Sequence, residues 1–173
     1  MSKIESEKAV VIIDTREQLP YNFTLESTRA ALRTGDYSLA GLESVVSIER
    51  KSLDDFVGCI TAGRDRFEKE LSRADSLERF WVVIEANLTS IESGLYRSKV
   101  NPESVLGTLA AWSNRHKVSF IFADNRQTGQ KMTERLLKHA WLDHLKRLAA
   151  DHQLSGNSLG NLNAQPQTDE AWP

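Results

Sequence analysis

The chain contains the stretch Val45-Val46-Ser47-Ile48-Glu49-Arg50-Lys51, and this stretch decides the predicted fold. Its first four residues are mostly β-branched and apolar, which favours a strand that ends in charged residues. Side chains alternate between the two faces of a strand, so Glu49 and Lys51 are predicted on one face and Arg50 on the other. A rigid element therefore presents a carboxylate beside an ammonium.

A second carboxylate lies thirteen residues before Glu49, in the motif Gly35-Asp36-Tyr37. Ala40-Gly41 is a turn candidate between them, so we expect two short strands to fold back and bring Asp36 beside Glu49. Two converging carboxylates suit Mg²⁺, which takes oxygen ligands and keeps several waters, one of which can be a nucleophile. The pattern is typical of metal-dependent phosphodiester cleavage.

Two roles are open for Lys51 in such a site. Its ammonium can offset the negative charge that develops on an attacked phosphate. If burial lowers its pKa, it can instead help to position and deprotonate water. The non-functional alternative is that Glu49-Arg50-Lys51 is a solvated strand end, because short acid-x-lysine motifs often match by accident. The surrounding motifs decide between a functional site and a solvated strand end.

Four motifs occur in order along the chain: Asp14-Thr15-Arg16-Glu17, Gly35-Asp36-Tyr37, Glu49-Arg50-Lys51 followed by Asp55, and Gly63-Arg64-Asp65-Arg66-Phe67. Together they resemble the XPF-type (XPF/Hef-like) structure-specific endonuclease domain over roughly residues 9 to 150. The resemblance implies an α/β fold with a restriction-endonuclease-like (PD-(D/E)XK) core, in which helices flank a central mixed β-sheet. It also implies a DNA endonuclease that acts near branched, flap or fork junctions in repair or recombination, with Mg²⁺ as cofactor and Mn²⁺ as a substitute.

The same resemblance assigns roles to residues of the site. Asp36 and Glu49 map to metal ligands, and the backbone carbonyl of Arg50 can join them. Glu17 maps to an acid at a second metal, and Lys51 maps to the catalytic lysine. The cofactor prediction therefore depends on three acids, Glu17, Asp36 and Glu49.

Four further positions are linked to activity by the resemblance, namely Asp14, Arg16, Arg50 and Asp55. Whether each contacts metal, phosphate or a neighbouring side chain is left open. Asp54 adjoins Asp55 and is an alternative to it, or a cap of the helix that follows. Counting from Glu49, the family pattern selects Asp55.

Asp14 follows the apolar run Ala9-Val10-Val11-Ile12-Ile13, which predicts a buried strand. Ligand sites commonly lie beyond the carboxyl ends of strands in open α/β sheets, which favours a functional Asp14. The alternative is a turn in which Asp14 and Thr15 bind nearby backbone amides. Arg16 and Glu17 can likewise form an ordinary surface ion pair worth about 0 to 1 kcal/mol.

The formal net charge of −2 argues against a strongly basic, non-specific DNA-binding protein, so local patches must provide the phosphate contacts. Arg64 and Arg66 are predicted at the exposed start of a helix whose apolar positions are Phe67, Leu71 and Ala74. Arg97 and Lys99 precede Asn101-Pro102, which reads as a helix start. We predict DNA contacts for these four cations. The alternative for both patches is solvated surface charge.

The chain has 173 residues, 40% hydrophobic and 27% charged, which suits one domain with a substantial core. Three apolar runs, residues 9–13, 80–84 and 118–122, predict core strands, with helical patterns between and after them. We expect a polar segment at residues 1–8, the nuclease domain at 9–150, and a disordered tail at 151–173. The tail prediction depends on the Ser, Gly, Asn and Gln that accumulate from Ser155 onward.

Two apolar stripes are predicted on the last helices and read as core or dimer surface. One follows Asn101-Pro102, and the other follows Asp124; their members are Val105, Leu106, Leu109 and Trp112, then Met132, Leu136, Leu137, Ala140, Trp141, Leu145 and Leu148. Trp81, Trp112 and Trp141 are interpreted as packing residues. Members of the resembled family often add a tandem helix-hairpin-helix domain, for which this chain has no room. We therefore predict a homodimer through these helices, or a separate partner protein that supplies DNA affinity.

Other residue types exclude several classes of site. The four histidines lack zinc-ligand spacing and the first three are predicted to face solvent on helices; they are His116, His139, His144 and His152. Cys59 is the single cysteine and is predicted to be buried as a small hydrophobe. The polar start and a five-residue apolar run favour neither a signal peptide nor a membrane span, so we expect a cytoplasmic protein. The small size of the predicted architecture suggests that it is bacterial or phage-encoded.

Two rival functions remain open. The first is a non-catalytic DNA-binding partner or scaffold subunit with a nuclease-like fold. The intact acids and lysine of the predicted site argue against this function. The second is a sequence-specific restriction-like enzyme, which needs base-contacting elements that the sequence does not display.

Overall fold

The computed structural model describes the backbone of residues 8–160 and the side chains of residues 8–154. Its strands, in chain order, are β1 (Val10–Asp14), β2 (Glu26–Ala30), β3 (Tyr37–Leu39), β4 (Val46–Lys51), β5 (Arg79–Ile84) and β6 (Val118–Phe122). Its helices are α1 (Leu53–Ile60), α2 (Arg64–Ala74), α3 (Leu88–Glu92), α4 (Pro102–Arg115) and α5 (Arg126–Gly160).

The strands form one mixed sheet in the order β2-β1-β3-β4-β5-β6. The pairs β1–β3 and β3–β4 are antiparallel, whereas β1–β2, β4–β5 and β5–β6 are parallel. The predicted fold-back is therefore confirmed, since Tyr37 pairs with Ile48 across β3 and β4. The three apolar runs form β1, β5 and β6, so the predicted mixed sheet flanked by helices is also confirmed.

The edge strand β2 was not predicted. All five of its residues, Glu26–Ala30, are exposed, so the segment has no apolar alternation to distinguish it from a loop. It forms because β1 offers it a full parallel ladder from Val10–Glu26 to Asp14–Ala30. Long-range pairing with β1 thus determines that this segment forms a strand, and its local sequence does not.

Helices cover both faces of the sheet. One core joins α1, α2 and α4 to β5 and includes Phe56, Leu71 and Trp112, all buried. The other joins α5 to β1, β3 and β4 and includes Tyr37 and Leu137. Cys59 is buried in the first core, and Trp81 and Trp141 pack against the second, as predicted for packing residues.

Helix α5 extends past the predicted domain boundary. Residues 151–160 are helical, which is at odds with a disordered tail beginning at residue 151; the rest of that predicted tail, 161–173, lies outside the described residues.

On this helix Leu142 and Leu154 are 48% and 70% exposed. The homodimer stays a prediction. None of the described helices has the length and apolar character needed to cross a membrane.

One histidine prediction is wrong. His116 does not face solvent, because it caps the carboxyl end of α4 and its Nδ1 lies 2.8 Å from Asp75 Oδ2. Lys117 N donates to the other oxygen of Asp75 at 2.7 Å. Asp75 ends α2, so this contact joins the two connections that lead into β5 and β6. This contact could not be predicted from the sequence because the partners are 41 residues apart.

Candidate active site

The hairpin of β3 and β4 places the acids of the site. Asp36 N donates to Ile48 O at 2.8 Å, and Arg50 N donates to Asp36 Oδ2 at 2.8 Å. The Asp36 side chain is thereby held against the end of β4, where Glu49 and Lys51 share one face. Lys51 Nζ contacts Glu49 Oε1, which confirms the predicted pairing of carboxylate and ammonium.

Gly35 lets the chain enter this hairpin. Its φ of +80° lies in the left-handed region, and a Cβ there would collide with Ser47 Oγ and lie 3.0 Å from Ile48 O. Ser47 Oγ cannot move freely, because it donates to Thr34 O at 2.8 Å inside the core. The glycine before Asp36 is thus required by backbone conformation and by close packing together.

Gly35→Ala should lower the free energy of unfolding by about 2 to 4 kcal/mol, from left-handed strain together with overpacking. Thermal unfolding of the two proteins measures the change. Gly41→Ala is the matched control, because Gly41 has the same left-handed φ of +81° but nothing within 4 Å of its missing Cβ. Equal losses in the two variants would contradict the packing argument.

A cavity of about 650 Å³ opens at this hairpin end. Eight residues selected from the sequence motifs line it: Arg16, Glu17, Asp36, Glu49, Arg50, Lys51, Asp55 and Arg66. The remaining lining residues are Gln18, Asp54, Gly58, Cys59, Ala62 and Gly63. Motifs spread over fifty residues therefore meet at one place.

Burial and like charge make the acids of the cavity unusual. Burial raises the pKa of Asp36, opposed by the hydrogen bond from Arg50 N and by the charge of Lys51. Burial raises the pKa of Glu49 as well, and the nearby charge of Asp36 raises it further. Two acids in the same cavity thus share one ammonium, and a cation bound between them would relieve the excess negative charge.

The charge of Lys51 is maintained by these acids. Burial lowers its pKa, but the attraction and hydrogen bond of Glu49 outweigh burial, so the pKa lies above its ordinary value. The side chain is 17% exposed, and its ammonium also lies 5.6 Å from the ring centre of Phe67. Of the two roles left open for Lys51, this setting favours the charged one.

The donor set fits a magnesium ion. Each acid has one oxygen engaged by the protein, Asp36 Oδ2 by Arg50 N and Glu49 Oε1 by Lys51, which leaves the second oxygen of each for a ligand. No group of three or more acidic, histidine or cysteine side chains is arranged to hold a metal among the residues that the structure describes. Mg²⁺ needs only one or two carboxylates beside water and substrate oxygens, so Asp36 and Glu49 suffice.

Glu17, the predicted acid of a second metal, is engaged differently. It is 7% exposed; Leu19 N donates to its Oε1 at 2.7 Å, and Arg50 Nε donates to its Oε2 at 3.3 Å. A cation at Glu17 must compete with the guanidinium of Arg50. The role of Glu17 at a second metal stays a prediction.

Asp14 lies beside the site without lining the cavity. Its Oδ1 accepts hydrogen bonds from Arg16 N and Nε, at 2.8 and 2.7 Å, and its Oδ2 accepts one from Leu32 N at 2.7 Å. Burial raises its pKa, but these hydrogen bonds from Arg16 and Leu32 outweigh burial and lower it. The turn interpretation matches this geometry. Arg16 lines the cavity, and Asp14 holds the side chain of Arg16 in place.

Ser52 caps α1, so the predicted alternative of a cap at Asp54 is wrong. Asp55 N donates to Ser52 Oγ at 3.2 Å, and Ser52 Oγ donates to Asp55 Oδ2 at 2.6 Å. Asp54 instead forms an ion pair with Arg97 Nε at 3.2 Å. Both acids line the cavity, and Asp55 reaches it from the first turn of α1.

The four predicted DNA contacts divide into separate environments. Arg66 is exposed and lines the cavity, whereas Arg64 pairs with Glu68 at 3.2 Å and lies 5.5 Å from the ring centre of Trp112. The side chain of Arg64 is still 39% exposed, although α4 packs beside it. Arg97 and Lys99 are exposed and lie outside the cavity lining. DNA binding by all four stays a prediction.

Two acids near the site were missed by sequence reasoning. Glu85 accepts hydrogen bonds from Tyr21 Oη at 2.9 Å, Arg126 Nη1 at 3.3 Å and Arg50 Nη1 at 3.4 Å, and so positions Arg50 from behind the sheet. It directly follows the buried strand β5, the same signal that selected Asp14. Glu70 faces Thr34 Oγ1 at 3.3 Å, and its charge raises the pKa of Asp36 and Glu49 after the larger causes named above. Its position inside α2 carries no comparable signal.

Comparison with known proteins gives one family match. The family model described as "ERCC4 domain" matches residues 13–136, well over half of the chain. The matched range includes every residue that lines the cavity. A search of curated protein sequences finds no match.

Two solved structures of XPF from Aeropyrum pernix share the fold. One superposes with a TM-score of 0.59 at 20% identity, covering 74% of this chain and 64% of its own length. The other, described as a complex with DNA, gives 0.58 at 20% identity, covering 83% of this chain and 66% of its own length. The chain thus spans slightly less than two thirds of either relative.

Proposed function

The chain belongs to the ERCC4 domain family, a family of structure-specific DNA nucleases, and from this membership we propose that it is a metal-dependent endonuclease that cuts DNA near branched, flap or fork junctions. One observation carries the proposal: Asp36, Glu49 and Lys51 converge in a single cavity at the end of the hairpin. A relative of the same fold is described in complex with DNA, which supports DNA as the substrate.

Asp36 and Glu49 would hold Mg²⁺ or Mn²⁺, with the backbone carbonyl of Arg50 as a further oxygen ligand. The bound ion would lower the pKa of a water and neutralise charge on the phosphoryl oxygens. Arg50 N fixes the orientation of Asp36 through its Oδ2. The Arg50 side chain is fixed in turn from the opposite face by Glu17 and Glu85. The ligands therefore need little reorganisation to take up the metal.

Lys51 supplies the positive charge that the reaction needs. Its ammonium lies beside Glu49 and the side chain is only 17% exposed, and a fixed charge that is partly shielded from bulk solvent acts more strongly than one in water. Phosphoryl transfer builds negative charge on oxygen, so an ammonium at this place favours the transition state over the ground state. Arg66 at the cavity lining would hold a neighbouring phosphate of the same strand.

The test is cleavage of end-labelled flap, fork, four-way-junction and plain duplex DNA with Mg²⁺, Mn²⁺ or EDTA. We expect cuts near the junctions with either metal and none in EDTA. Glu49→Ala is the control against contaminating nucleases, and it should bind the same DNA without cutting it.

A folded wild-type protein that binds junctions but cuts none of them with either metal would contradict the proposal. It would favour the non-catalytic scaffold. Cuts at one sequence on plain duplex DNA, without regard to a junction, would favour the restriction-like alternative. Cleavage mapping therefore separates the three functions.

A further inference from the structure

Helix α2 carries three cations on one exposed face. Arg66, Lys69 and Arg73 are spaced three and four residues apart and therefore lie along one side of the helix. All three are exposed. The opposite side of α2 is buried through Phe67, Leu71 and Ala74, so the orientation of the cationic face is fixed by the core.

These cations lack the ion pairs that several other cations of the chain have. Arg79, Arg97 and Arg147 pair with Asp143, Asp54 and Glu78. Within the part of the chain that the structure describes, the side chains of Arg66, Lys69 and Arg73 form no ion pair and no hydrogen bond. Their charge is therefore free to act on a ligand.

The cationic face connects two concave surfaces. Arg66 lines the catalytic cavity, and Arg73 lines a second depression of about 490 Å³. Arg33 also lines this depression, in which Glu43 is the acid that partly opposes the two arginines. Thr34 also lines the depression, and its Oγ1 donates to Glu70 Oε1 of α2 at 3.3 Å. The depression with Arg33 therefore adjoins α2, the helix whose Arg66 lines the cavity.

We propose that Arg66, Lys69, Arg73 and Arg33 form a basic track that binds the phosphates of one DNA strand as it leaves the catalytic cavity. The proposal rests on the nuclease function proposed above. Arg66 and Arg73 are seven residues apart, about 10.5 Å along the helix axis at 1.5 Å per residue. One strand of B-DNA carries a phosphate about every 3.4 Å of axis, so the track spans about three phosphate steps. The strand is held by charge and shape without reading its sequence.

The salt dependence of DNA binding tests the basic track. A fluorescent flap substrate is titrated in EDTA between about 50 and 200 mM salt, with wild type, Lys69→Ala/Arg73→Ala and Lys131→Ala/Arg135→Ala. Lys69→Ala/Arg73→Ala removes two predicted phosphate contacts. Each duplex contact contributes about 0.9 to the steepness of the plot of log K against log salt, so this variant should have a plot that is less steep by about 1.8. The second double variant is the matched control, because Lys131 and Arg135 are exposed cations of α5, on the other face of the sheet.

A track variant with the wild-type slope would overturn the track, even if the wild type cuts junctions as proposed. So would a control variant with an equally reduced slope, because the effect would then reflect net charge alone. Conversely, a specific slope change in a protein that never cuts DNA would support the track and reject the nuclease function. The two proposals therefore fail in distinguishable ways. Unchanged thermal unfolding of both double variants establishes that the fold is intact.

Discussion

Asp36→Asn is expected to reduce junction cleavage by at least about 10³-fold, which corresponds to about 4 kcal/mol of transition-state stabilisation. Asp36 faces the cavity with one carboxylate oxygen held by Arg50 N and the other left for a ligand. Asparagine keeps the size of the side chain and an oxygen that can accept from Arg50 N. The change therefore removes the charge that attracts the metal while leaving the hairpin in place. Single-turnover cleavage at a fixed Mg²⁺ concentration measures the loss.

The same substitution should raise the thermal stability of the metal-free protein. Burial raises the pKa of Asp36 from 3.8 to about 6, so between these values the folded protein binds more protons than the unfolded chain. Stability from this group is therefore present below about pH 4 and is lost as pH rises towards 6. At pH 7.5 the carboxylate opposes folding, and asparagine does not. Each kcal/mol regained should raise the unfolding temperature in EDTA by about 2 to 4 °C.

Asp65→Asn is the matched control for both measurements. Asp65 is an exposed acid in the first turn of α2 and does not line the cavity. We expect this variant to cut at the wild-type rate and to unfold within a degree or two of the wild type. Asp36→Asn with more than a tenth of the wild-type rate would exclude Asp36 as a metal ligand. A lower unfolding temperature in EDTA would contradict the argument from burial.

Strand alternation was enough to predict the centre of the site. Glu49 and Lys51 share a face and contact each other, while Arg50 reaches Glu17 and Glu85 on the opposite side, as a two-residue period requires. The turn at Ala40-Gly41 brought in Asp36 because its glycine adopts a left-handed φ. These features depend on residues close in sequence, and so they can be read from one chain.

Features that depend on long-range packing could not be predicted. Arg64 belongs to the same motif as Arg66 and has the same charge, yet Thr108 and Trp112 of α4 engage its guanidinium from 44 and 48 positions away. Asp14 ends its strand as expected, but its carboxylate is engaged by Arg16 and by the amide of Leu32 and does not line the cavity. A motif thus predicts that residues gather, whereas packing decides which of them face the substrate.

Lys51→Ala is expected to slow cleavage by about 10²- to 10³-fold at saturating Mg²⁺, the effect of removing one fixed, partly buried charge beside the reacting phosphate. Saturating metal is required because alanine leaves Glu49 without its partner and thereby changes metal affinity as well. Lys51→Arg should retain more activity than Lys51→Gln, since arginine keeps the positive charge on a longer side chain. The measured quantity is the single-turnover rate for the four proteins.

An electrostatic role and a proton-transfer role for Lys51 predict different rates for these variants. If the ammonium stabilises the transition state, arginine restores part of the rate, and the ratio of wild-type to arginine rates stays constant from about pH 6 to 9 because guanidinium remains charged throughout. If Lys51 acts as a base, arginine is as inactive as glutamine, and the wild type alone gains rate as pH rises. The contact between Lys51 and Glu49 keeps the lysine pKa above its ordinary value, which favours the first outcome. Equal rates for Lys51→Arg and Lys51→Gln would therefore reject the electrostatic role.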